Sequence, residues 1–122
     1  MSILAIASSL LVALLHLYFL VLEMFLWTRP VGLKVFRQTA EKAAQSRVLA
    51  ANQGLYNGFL AAGLLYALAR GSREYTLFFL ACVVVAGAYG AWSVNRRIFL
   101  VQALPAILAM VAVAAAGVGG QE

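Results

Sequence analysis

Residues Ile3 to Trp27 read ILAIASSLLVALLHLYFLVLEMFLW, and the only charged residue among them is Glu23. At about 1.5 Å of rise per residue, a helix of this length crosses a hydrocarbon core of roughly 30 Å with length left for tilt. A secretory leader has a positive n-region and an apolar core of only about 7–15 residues. This stretch has neither feature, so it reads as a span. It stops at Trp27-Thr28-Arg29-Pro30, where an interfacial aromatic, a cation and a helix breaker follow one another.

The rest of the chain repeats the pattern. Further apolar stretches run over residues 48–69, 75–94 and 98–118. Pro105 falls about two turns into the last of them. A proline is tolerated inside a span where neighbouring helices or water satisfy the carbonyl it frees. Each stretch is about twice the length of a barrel strand, and none alternates strictly between polar and apolar residues. The expected fold is an all-α membrane protein, a four-transmembrane-helix bundle forming a single domain over residues 1–122. Gly117 to Glu122 are expected to end the last helix.

Composition agrees. Of 122 residues, 65% are hydrophobic and 11% charged, and the mean hydropathy is +0.94. A soluble domain this small has too high a surface-to-volume ratio to bury so large an apolar share. Disorder, a collagen-like fibre and a disulfide scaffold are excluded on the same figures. The net charge of +5 is gathered in particular loops, which argues against a nucleic-acid surface. Cys82, the single cysteine, lies in an apolar run and reads as a small buried hydrophobe. The histidine and carboxylates lack the number and spacing of a zinc or haem site, so no metal is expected.

The connections differ in kind. Two are only a few residues long and make their helices antiparallel neighbours. The connection over residues 28–47 is long. In it Leu33, Phe36, Ala40 and Ala43 recur at helical spacing, with Lys34, Arg37, Lys42 and Arg47 between them. That pattern predicts a short basic amphipathic helix on the membrane surface. This loop and the one near Arg96 and Arg97 carry seven cations. Arg70 and Arg73, on the other side, make two. The positive-inside rule then puts the loop over residues 28–47 and the one near Arg96 and Arg97 in the cytoplasm and both termini outside.

Polar groups inside a membrane are unfavourable and are therefore functional candidates. Counted from the cytoplasmic helix ends, Glu23, Asn52, Gln53, Tyr89 and Gln102 lie about 6–8 Å deep, and His16 and Asn57 about 14–16 Å. Ser8, Ser9 and Tyr66 are almost the only polar residues of the outer half. His16 and Glu23 share a helix face but stand about 10 Å apart along the axis. Neither can bond the other directly. A buried carboxylate must be paired, hydrated or protonated, and Arg96 or Arg97 are available as partners for Glu23. On the second helix Asn52, Gln53, Tyr56 and Asn57 fall within an arc of about 140°. Gly54, Gly58 and Ala61 occupy the other side.

These residues predict a cytoplasm-facing polar pocket lined by Glu23, His16, Gln53 and Asn57, then by Asn52, Tyr56, Tyr89 and Gln102. It would take a small or lipophilic ligand with a polar head. One alternative is a dimeric proton-coupled transporter. Another is a membrane enzyme using His16 and Glu23 as acid and base on a lipophilic substrate. Gly54-xxx-Gly58, Ala86-xxx-Gly90 and Gly87-xxx-Ala91 fit close helix packing. They suggest contact between the second and third helices, or a homodimer through the Gly54/Gly58 face. No cofactor is identified.

Two segments, His16-Leu-Tyr-Phe-Leu-Val-Leu-Glu23-Met-Phe-Leu-Trp27 and Ala51-Asn-Gln-Gly-Leu-Tyr-Asn-Gly58-Phe-Leu-Ala-Ala, resemble a family of small four-helix bacterial membrane proteins catalogued as a domain of unknown function. The resemblance covers nearly the whole chain. It implies four spans in the bacterial cytoplasmic membrane and brings no reaction, cofactor or site residue.

Overall fold

A computed structural model describes residues 1–119, with side chains for residues 1–115. Those residues are helical throughout, apart from short connectors. The elements are α1 (Ile3–Met24), α2 (Pro30–Phe36), α3 (Ala40–Gln45), α4 (Arg47–Ala69), α5 (Arg73–Ser93), a π-helical turn over Phe99–Ala103, and α6 (Leu104–Gly119). Among the described residues two helices, α1 and α5, are long and apolar enough to cross a membrane, with mean hydropathies of 2.3 and 1.7. The continuous apolar helix over Phe99–Ala115 is shorter. At 23 residues, α4 has the length, but Asn52, Gln53 and Asn57 dilute its first half. α6 continues through Gly117 to Gly119. The expected end at Gly120 to Glu122 lies outside the described residues.

The chain divides into two compact units. One joins residues 1–14 with the chain from Leu60 onward, and the other is Leu15–Phe59. The core of the first unit takes Ala5, Val12 and Ala13 from α1, Leu64 from α4, Leu80 and Val83 from α5, and Ala106, Ala109 and Val113 from α6. Four of the nine are alanines, which lets helix backbones approach closely. The small-residue stripe of α5 does not serve the contact with α4 that its spacing suggested. A Cβ at Gly87 would lie 2.7 Å from the backbone nitrogen of Ala103, and one at Gly90 2.8 Å from Ile98 Cγ2. α5 therefore spends this face on the chain entering α6.

That chain has to accommodate Pro105, which has no N–H and whose ring crowds the preceding turn. The helix widens just before it. The N–H of Leu104 donates to the carbonyl of Phe99, five residues back. A π turn of this kind inserts one residue without breaking the helix.

In the second unit α1 ends at Met24, three residues before the expected stop at Trp27. The N–H of Leu26 reaches both Val21 and Leu22 carbonyls, and Arg29 N–H closes a turn on Leu26. Pro30 then opens α2 at its first position, where a missing N–H is harmless. The single amphipathic helix expected here is two helices. Arg37 adopts a left-handed conformation (φ 53°) and ends α2. Thr39 accepts a hydrogen bond from Lys42 N–H and starts α3. Such a side-chain cap satisfies one of the orphan donors of a helix start.

Candidate functional site

The residues expected to line a pocket separate into three groups. The first lies where α1 faces α4 within the Leu15–Phe59 unit. Gly54 is buried there. A Cβ on it would meet Met24 Cγ at 2.6 Å, Glu23 Cβ at 3.1 Å and the Leu20 carbonyl at 3.2 Å. A Cβ on Gly58 would meet Leu20 Cδ1 at 2.7 Å. The absence of side chains at both positions brings the α4 backbone against α1. Asn57 is thereby carried to Glu23, and its Nδ2 donates to Glu23 Oε1 at 2.6 Å. Both residues are half-buried.

Asn57 therefore parts from Asn52, Gln53 and Tyr56, which are exposed, although it lies only about 40° from Gln53 around the helix. At 100° per residue it lies about 60° from Gly54 and on the border of the glycine face. The expected partners Arg96 and Arg97 are both exposed and belong to the other unit. Glu23 is met by a neutral amide. The glycine face meets Leu20, Glu23 and Met24 of α1 in the same chain.

His16 forms the second group. It lies two turns before Glu23 on α1 and is fully buried. Its ring stands edge-on to Phe19 at 5.2 Å. The remaining residues turn outward or lie elsewhere. Asn52, Gln53 and Tyr56 are exposed, and Tyr56 rests beside Phe59 at 6.0 Å. Tyr89, also exposed, pairs with Trp92 at 5.9 Å. Gln102, half-buried, sits in the π turn. Both of these belong to the unit that does not contain Glu23.

A carboxylate that shares one oxygen with a single amide keeps acceptor positions on Oε1 and Oε2. It can receive N–H, O–H or a cation. Asn57 keeps its amide carbonyl as an acceptor and a second N–H as a donor. The pair thus offers both kinds of contact to a polar group. Among the described residues, no group of three or more His, Cys, Asp or Glu is placed to hold a metal ion.

One feature had no clear sequence signal. Trp27 bonds and packs within the segment that follows it. Its Nε1 donates to Ser46 Oγ at 3.1 Å, and its ring packs at 4.7 Å from Phe36. The indole ties together the C-terminal ends of α2 and α3. Ser46 in turn donates to the Lys42 carbonyl.

Comparison with known proteins agrees with the resemblance in the two segments around Glu23 and Asn57. Residues 10–114 match the family described as "Protein of unknown function (DUF1304)", and the chain belongs to it. The chain is 36% identical over 115 residues to the uncharacterised protein YpaA of Lactococcus lactis subsp. lactis (strain IL1403). That alignment covers 91% of this chain and 97% of the relative. No solved structure matches the chain.

Proposed function

We propose that this DUF1304 member is a four-span protein of the bacterial cytoplasmic membrane that binds a small or lipophilic ligand by its polar head at the Glu23–Asn57 pair. Both termini lie outside and residues 28–47 face the cytoplasm. The observation that carries the reading is the 2.6 Å bond between Asn57 and Glu23. It places a carboxylate against a neutral donor at a helix junction built on two glycines. Several facts support the topology. α1 and α5 have the length and hydropathy of spans, and the core of the first unit draws on α1, α4, α5 and α6. The seven-to-two bias of cations gives the orientation.

In this scheme Asn57 orients the head group and Glu23 accepts a hydrogen bond or a proton. His16 packs behind them. The test is native mass spectrometry of the full chain released from membranes in a mild detergent. Small-molecule adducts are expected on the wild type and are lost from Glu23→Gln and Asn57→Leu. Identical adducts on all three proteins overturn the reading. Topology is checked separately by thiol labelling in a Cys82→Ser background. A cysteine replacing Arg37 is expected to react only from the cytoplasmic side, and one replacing Gly71 only from the outside.

A second reading, a dimeric proton-coupled transporter, is favoured by one observation. Asn52, Gln53 and Tyr56 form an exposed polar face on α4. Polar side chains on a membrane helix seek partners on another helix. A second copy would supply them, and four helices enclose a path poorly while eight do so readily. Disulfide formation by Gln53→Cys between two chains is the expected sign. Proton-coupled flux in proteoliposomes that survives Glu23→Gln removes Glu23 from such a mechanism.

A further inference from the structure

The segment between α1 and α4 is folded so that its inner side is used up and its cations are left outside. Gly32 is buried against backbone, with a Cβ placed there 3.0 Å from the Trp27 carbonyl oxygen and closer still to that of Leu26. Ala43 is buried as well. Trp27 holds Phe36 on one side and Ser46 on the other. Facing out are Arg29, Lys34, Arg37, Lys42 and Arg47, all exposed, with Glu41 the only acid in the stretch. Beside them Phe25 and Val31 are 66% and 45% exposed.

We propose that this surface recognises anionic phospholipid headgroups in the leaflet that it borders. The proposal rests on α1 spanning the bilayer, as argued above. α1 is 22 residues long, about 33 Å, so the chain leaves the hydrocarbon near Met24 and the segment starts at headgroup level. Cations at that level attract anionic lipid, and the attraction decays within a Debye length. The apolar neighbours decide between possible anionic partners. Phe25 and Val31 gain nothing from water or from a nucleic acid backbone. A lipid provides both layers at once, phosphate for Arg29, Lys34 and Arg37, and acyl chain for Phe25 and Val31. Lysine and arginine suit this role because their apolar stems follow the lipid while their heads stay hydrated. The Trp27–Ser46 and Trp27–Phe36 contacts tie down the backbone that carries the cations, which separates this segment from a loose basic loop.

The full chain is tested after Trp92→Phe, which leaves Trp27 as the only tryptophan. The protein is reconstituted in vesicles of phosphatidylcholine. Either brominated phosphatidylglycerol or brominated phosphatidylcholine is then added at equal mole fraction, and Trp27 fluorescence is followed. The expected result is stronger quenching by the brominated anionic lipid. Lys34→Gln alone lowers the preference by up to about fivefold. The triple replacement Lys34→Gln, Arg37→Gln and Lys42→Gln removes it, and so does raised salt. These side chains are exposed, so the fold is expected to survive, with the helix content by circular dichroism as the check. Equal quenching by the two lipids, or a preference untouched by the triple replacement, overturns lipid recognition while leaving the span of α1 intact. No quenching by either lipid overturns both.

Discussion

Gly54 and Gly58 stand one turn apart on the same face of α4, yet the two positions should respond to alanine with opposite sign. At Gly54 the new Cβ lies 2.6 Å from Met24 Cγ, 3.1 Å from Glu23 Cβ and 3.2 Å from the Leu20 carbonyl oxygen. Two of these are backbone or atoms next to it, and Met24 Cγ is near the root of its side chain. α1 itself has to retreat. Overpacking of this kind destabilises by about 1–3 kcal/mol. The gain in helix propensity from Gly to Ala is at most about 1 kcal/mol. The net is a loss of about 1–2 kcal/mol, and the retreat lengthens the Asn57–Glu23 bond. At Gly58 the close atom is Leu20 Cδ1 at 2.7 Å, with Leu20 Cγ already at 3.9 Å. A terminal methyl moves by a rotamer change, so propensity prevails and Gly58→Ala is neutral or stabilising by up to about 1 kcal/mol. Equilibrium unfolding in mixed micelles with increasing sodium dodecyl sulfate, followed by circular dichroism, measures both. Equal destabilisation by the two variants, or greater damage at Gly58, would falsify the register of α1 against α4.

The Glu23–Asn57 bond is expected to appear as coupling in the same assay. Glu23→Leu and Asn57→Leu each strand a partner and destabilise by about 1–3 kcal/mol, while the double variant falls short of their sum by about 0.5–2 kcal/mol; strict additivity sinks the pairing. Arg37→Gly should raise stability by about 1 kcal/mol, because glycine occupies the left-handed region without the Cβ strain that arginine meets at φ 53°. A loss on that substitution refutes the break between α2 and α3. Gly32→Ala should destabilise by about 2–3 kcal/mol, since backbone carbonyls of Leu26 and Trp27 bound the space and cannot rotate away. Unchanged Trp27 emission and unfolding in that variant would rule out the tight approach.

What was legible in the sequence was the set of long helical stretches, because hydropathy over twenty residues reports a bulk transfer energy that local detail barely alters. The connection over residues 28–47 was legible in its charge and its period but not in its break. Leu33, Phe36, Ala40 and Ala43 keep helical spacing in the sequence across a point where the chain leaves the helix, and the structure leaves Ala40 exposed while it buries Ala43. Arginine at the left-handed position gives no warning, where glycine would have done so. The π turn at Phe99–Ala103 was hidden for a related reason. Pro105 announced a disturbance, and only the packing of Ala103 on Gly87 shows how it is absorbed. The partner of Asn57 was not legible: Asn57 lies about 40° from Gln53 and about 60° from Gly54 on the helix, between the polar arc and the glycines, and periodicity alone does not say which neighbour it meets.

The identity of Glu23's partner bears on what the junction can do. An arginine would bind the carboxylate through two charge-assisted bonds in a low dielectric. A ligand would then have to displace an interaction at least as strong as any it could offer. Asn57 offers one bond from a neutral amide to a carboxylate, in the range of about 1.5–3 kcal/mol. A ligand cation or hydroxyl can match that, and it can do so without displacing Asn57, because Oε2 is not the oxygen the amide uses. The glycines next to the pair point the same way. Two larger residues would close the helices by side-chain packing alone, and the carboxylate would have been dispensable to their contact. The close approach at Gly54 sets the amide on the acid instead, as the proposed head-group site requires.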